Sequence, residues 1–118
     1  MSDKRQIHVT YPNGQKIYFY THNGGYTLPR VVAEALNTAR DHWSDPSYLA
    51  RVVFNQMTAD DPTGITGYGI ATEYEDSDYA NDDIHLHLSF GGNGRVGIGE
   101  ANMTYKDFIR EYLEEEDV

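Results

Sequence analysis

A chain of 118 residues and 13.4 kDa fits one compact domain over residues 1–118 and excludes a two-domain enzyme. It has no cysteine, which excludes disulfide staples, cysteine zinc sites, iron–sulfur clusters and thiol nucleophiles. The formal charge of −10 is lopsided: four acids and six bases give residues 1–59 a charge of +2, while fifteen acids and three bases give the remainder −12. Such an anionic half repels phosphates and attracts basic protein surfaces, which argues against direct DNA or RNA binding.

A hydrophobic fraction of 39% with ten tyrosines separates the chain from disordered acidic sequences, so it is expected to fold. Its start is polar and no long apolar stretch follows, which predicts a soluble, cytoplasmic protein with neither a secretory signal nor a membrane span.

In chain order, Ile7, Val9 and Tyr11 alternate with His8 and Thr10, Pro12-Asn13-Gly14 supplies turn chemistry, and Ile17-Tyr18-Phe19-Tyr20 resumes a β-rich run; this predicts a hairpin. Thr27 is the expected cap of a first helix with Pro29 in its opening turn and Val31, Val32, Ala35, Leu36 and Ala39 on one face, running to about Asp41. Asp45 and Pro46 start a second helix, with Leu49, Val52, Val53 and Met57 on its stripe and Trp43 wedged at the junction. Asp60 to Gly64 closes it as a loop.

Tyr68 to Thr72 predicts a strand. Ile84, Leu86, Leu88 and Phe90 alternate with His85, His87 and Ser89, so a further strand should turn the first set toward the core. Gly91 to Gly94 turns the chain into a strand over Arg95 to Glu100 with Val96 and Ile98 inward. Thr104 and Asp107 approximate a capping box for a last helix with Tyr105, Phe108, Ile109, Tyr112 and Leu113 on its apolar stripe. Its acidic end opposes the helix macrodipole and is expected to fray. The order ββααβββα predicts an α+β fold, an antiparallel sheet covered by helices.

The runs Ile17-Tyr18-Phe19-Tyr20-Thr21-His22-Asn23-Gly24-Gly25-Tyr26-Thr27-Leu28-Pro29, Trp43-Ser44-Asp45-Pro46-Ser47-Tyr48-Leu49-Ala50-Arg51 and Thr66-Gly67-Tyr68-Gly69-Ile70 cover roughly half the chain. In them the sequence resembles a family of small proteins found in phages and prophages. The resemblance implies an accessory protein acting on host machinery, including defence systems, and carries over no catalytic residue. The acidic segment and the Gly91–Gly99 stretch lie outside the matched runs.

Four features have chemical content. First, Glu73, Tyr74, Glu75, Asp76, Asp78, Tyr79, Asp82 and Asp83 interleave acids with aromatic rings. Negative charge accelerates encounter with a basic partner, and tyrosine supplies contact area at low entropic cost. Second, Thr21 to Gly25 joins a strand to a helix N-terminus, where His22, Asn23, Gly24, Gly25, Tyr26 and Arg30 could stack a base and hold an anion, in a homo-oligomer that closes the pocket. Third, His85 and His87 stand two apart on a strand, roughly 7 Å between rings on one face, a spacing compatible with a divalent metal given a third ligand such as His22 or Glu75. Fourth, two patterns fail: Asp76-x-Asp78 starts like a calcium loop but meets Ala80 and Asn81, and Gly92-Asn93-Gly94-Arg95-Val96-Gly97 fits a dinucleotide fingerprint but precedes a strand rather than a helix.

No serine sits in a nucleophile elbow and the dense carboxylates fall in an expected solvated loop, so no catalytic residue and no cofactor is assigned. The expectation is a non-catalytic inhibitor that meets a basic protein surface with an acidic, tyrosine-rich face imitating nucleic acid. Competing expectations are a sponge for a small anionic nucleotide at His22–Arg30 and a metal-dependent hydrolase at His85/His87.

Overall fold

A computed structural model describes residues 4–22, 25–59, 67–74 and 80–113. The strands are β1 (Arg5–Thr10), β2 (Lys16–Thr21), β3 (Tyr68–Ala71), β4 (Ile84–His87), β5 (Arg95–Ile98) and β6 (Met103–Thr104), and the helices are α1 (Leu28–Thr38), α2 (Pro46–Met57) and α3 (Tyr105–Tyr112). They form an α+β fold around one six-stranded sheet of order β3-β2-β1-β4-β5-β6.

Alternation sets the two faces of that sheet. Ile7, Val9, Phe19, Ile84, Leu86 and Val96 point toward the helices and are buried with Val32 and Leu36 of α1, Leu49 and Val53 of α2, and Phe108 and Ile109 of α3. The opposite face carries Lys16, Tyr18 and Tyr20 of β2, Gln6, His8 and Thr10 of β1, His85 and His87 of β4, and Arg95 and Gly97 of β5. Cross-strand register lines these up as Tyr18–His8–His85–Gly97 and Lys16–Thr10–His87–Arg95.

The sheet departs from a purely antiparallel one at its centre, where β1 and β4 run parallel. Parallel neighbours cannot be joined by a tight turn. Strand order also sets β2 and β1 between β3 and β4, which are consecutive in sequence, so the acidic segment that joins β3 to β4 is a crossover connection. β6 is a short addition at the far edge.

Local chemistry explains most boundaries. Asp45 caps α2 by accepting from the Tyr48 N–H at 3.2 Å, and Thr104 caps α3 by accepting from the Asp107 N–H at 3.1 Å. Thr27 does not cap α1: Gly25–Thr27 forms a 3-10 turn leading into the helix, so Thr27 already has helical dihedrals and its hydroxyl makes no capping bond. α1 stops at Thr38, short of Asp41, and Arg40–His42 tightens into another 3-10 turn. Trp43 ties this junction down. Its indole N–H donates to the Leu36 carbonyl at 2.9 Å, and its ring meets Tyr105 edge-on at 5.4 Å. Phe90 is the other correction. β4 ends at His87, the turn begins, and Phe90 is 74% exposed instead of facing the core.

Beside the β3 edge, Tyr11, Ile17, Phe19, Phe54 and the exposed Ile70 line an open apolar groove of about 270 Å³, with Arg51 at its rim. No helix among the described residues is long and apolar enough to cross a membrane.

Candidate functional site: the open face of the sheet

Three elements converge where the crossover meets the sheet. Asp83 lies immediately before β4 and is 1% exposed. One of its oxygens accepts from the Gln6 backbone N–H at 3.1 Å, and the other lies 2.9 Å from His8 Nε2. A carboxylate from β4 thus takes up a β1 donor and orients a β1 imidazole, fastening the parallel pair at its entry.

Rings pack around that pair. His8 lies 4.3 Å from the His85 centroid and 5.1 Å from Tyr18, which approaches edge-on. Tyr74, three residues past β3, sits 5.5 Å from His8 and 6.1 Å from Tyr18, and remains 46% exposed. This contact shows that the start of the crossover passes over the open face rather than the helical one.

The His85 imidazole titrates below its ordinary value of 6.5. Burial is the main cause and repulsion from His8 comes next, with Asp83 opposing both and His87 and Lys16 adding smaller repulsions. The folded state therefore binds this proton less readily than the unfolded chain, so the contribution from His85 is complete above pH 6.5 and is lost as pH falls through the folded value. We expect the melting temperature to drop on acidification from pH 7.5 to about 5, and to drop less in His85→Gln. Equal slopes in the two proteins would refute this assignment.

The residues predicted from sequence fall into three groups. Glu73, Tyr74 and Asp82 are exposed, and Tyr74 lies on the sheet's open side against His8 and Tyr18. Glu75, Asp76, Asp78 and Tyr79 lie outside the described residues, as do Asn23 and Gly24. Asp83 is not available to a partner, because it is buried against His8 and Gln6.

In the loop before α1, His22 stacks on Tyr20 at 5.4 Å, Tyr26 is 73% exposed, and Gly25 opens the 3-10 turn. Arg30 pairs with Glu34 at 3.3 Å, so an anion there would compete with a carboxylate. His85 and His87 do share a face, as expected. His85 packs on His8 while His87 is exposed, and among the described residues no group of three His, Cys, Asp or Glu side chains is placed to hold a metal ion.

Sequence reasoning missed His8 and Tyr18. A hint was available in the matching apolar–His–apolar patterns Ile7-His8-Val9 and Ile84-His85-Leu86, which the parallel register sets side by side. Comparison with protein families, curated proteins and solved structures finds no match to this chain.

Proposed function

We propose that this protein is a non-catalytic binding protein, an accessory protein of phage type acting in the host cytoplasm. It occupies a basic surface of a host protein, such as a defence component, with an acidic, tyrosine-rich face standing in for nucleic acid. The observation that carries this reading is Tyr74. It is seated on His8 and Tyr18 yet nearly half exposed, beside exposed Glu73 and on a crossover that ends at exposed Asp82. An aromatic ring held in place and flanked by carboxylates loses little side-chain freedom on docking, and the charge speeds encounter.

The acid–base pair nearby favours a structural role over a catalytic one. Both Asp83 oxygens have partners within the chain, and the His8 side chain is only 17% exposed. The test is capture of host proteins at low and high salt by the wild-type chain and by a variant carrying Glu73→Lys, Asp76→Lys, Asp78→Lys and Asp82→Lys. Asp83 is left intact because it is buried. We expect a discrete partner held at low salt, weakened by high salt, and reduced at least tenfold by the charge reversal. Equal capture by the folded variant would end this reading.

A further inference from the structure

We propose that the open face also carries a site for a nucleoside monophosphate, formed by Lys16, Thr10, His87 and Arg95 for the phosphate and by Tyr18 and Tyr74 for the base. These four polar residues come from four neighbouring strands, and the register makes them direct neighbours in one row. With strands about 4.8 Å apart, the row spans roughly 14 Å. The Lys16, His87 and Arg95 side chains are exposed and Thr10 is half-exposed.

Arg95 is held in place by neutral acceptors. Its Nε donates to Asn102 Oδ1 at 2.7 Å and its Nη2 to the Asn102 carbonyl at 3.1 Å, which orients the guanidinium without neutralising it. The end of β4 is fixed in turn, because the Tyr105 hydroxyl donates to the His87 carbonyl at 2.6 Å. Two cations, a hydroxyl and an imidazole thus line one row of the open face, and the Arg95 end of it is held in place.

The row that holds Tyr18 and His8 lies two residues along the same strands, about 7 Å away. A phosphate on the polar row leaves its attached base over Tyr18 and the exposed side of Tyr74, where stacking is indifferent to base identity. Chain direction brings Glu73 toward the Lys16 end, and the net charge of −10 opposes a long polyanion. A mononucleotide is affected less, since charges beyond about 8 Å are screened at physiological salt. The two readings share Tyr74, but the phosphate row is separate from the docking residues: Lys16, Thr10, His87 and Arg95 include none of the acids, so the Lys16→Ala/His87→Ala variant tests this site without altering the docking face.

The test is titration of the isotopically labelled full chain, followed by NMR, with AMP, GMP, CMP and UMP, and separately with adenosine and inorganic phosphate. We expect at least one nucleotide to give saturable shifts at Thr10, Lys16, His87, Arg95 and Tyr74, with phosphate and adenosine each binding at least tenfold more weakly. The double variant Lys16→Ala/His87→Ala, altered only at exposed side chains, should lose at least tenfold in affinity while keeping its spectrum elsewhere. Absence of saturable shifts with all four nucleotides, phosphate binding as tightly as the nucleotides, or undiminished affinity in the double variant would overturn the proposal.

Discussion

Asp83→Ala is expected to lower stability by about 3 kcal/mol, a large share of the roughly 5–15 kcal/mol that holds a domain together. The change removes the acceptor for the Gln6 N–H, which is then buried without that partner, and the oxygen that orients His8. Both losses fall at the point where β1 and β4 begin to run parallel. Asp83→Asn separates charge from hydrogen bonding: its carbonyl oxygen can still accept from Gln6 and its amide can donate to a neutral His8, so about 1 kcal/mol is expected. Urea unfolding of the three proteins checks this. An alanine variant as stable as wild type would show that the carboxylate does not fasten the two strands.

Gly97→Ala should be nearly as damaging, at about 2–3 kcal/mol. Gly97 faces the open side opposite His85, and a Cβ there would collide with the carbonyl of Ala101, with the Asn102 Cα only 3.1 Å away. Both obstacles are backbone, so relief requires the β5–β6 turn to move. Gly92→Ala provides the contrast: the nearest atom to a Cβ there is 3.8 Å away, and only the positive φ of 75° resists substitution. About 1 kcal/mol is expected for it. Thermal or urea unfolding that ranks Gly92→Ala as the more damaging would contradict the close-approach argument.

The boundary between what the sequence reveals and what it hides follows the range of the interactions. Alternation in β4 correctly assigns Ile84 and Leu86 to the core, because the side-chain period of a strand is local. The same holds for the caps at Asp45 and Thr104, whose partners are three residues away. Pairing is different. The matching apolar–His–apolar patterns of β1 and β4 hint at a likeness but do not make the two strands neighbours, so the parallel centre, and with it the cluster of His8, His85 and Asp83, emerges only from the assembled sheet.

Asp83 illustrates the point most sharply. In sequence it is one more acid in a run, yet its position one residue before β4, bonded to the Gln6 N–H and to His8, buries it while Asp82 stays exposed. Phe90 errs in the opposite direction, since periodicity continues into a segment where the strand itself has stopped. Thr27 fails as a cap for a similar reason: the chain is already turning before the residue that sequence chemistry selects.

Hydrogen–deuterium exchange on the complex with a captured host partner tests most directly whether the crossover is the recognition element. Protection is expected at Glu73, Tyr74 and Asp82 and across the acidic residues between them, with α2 and the groove lined by Phe54 and Ile70 exchanging as in the free protein. Protection confined to α2 and that groove, with the crossover unchanged, would contradict the account and move the docking surface to the helical side.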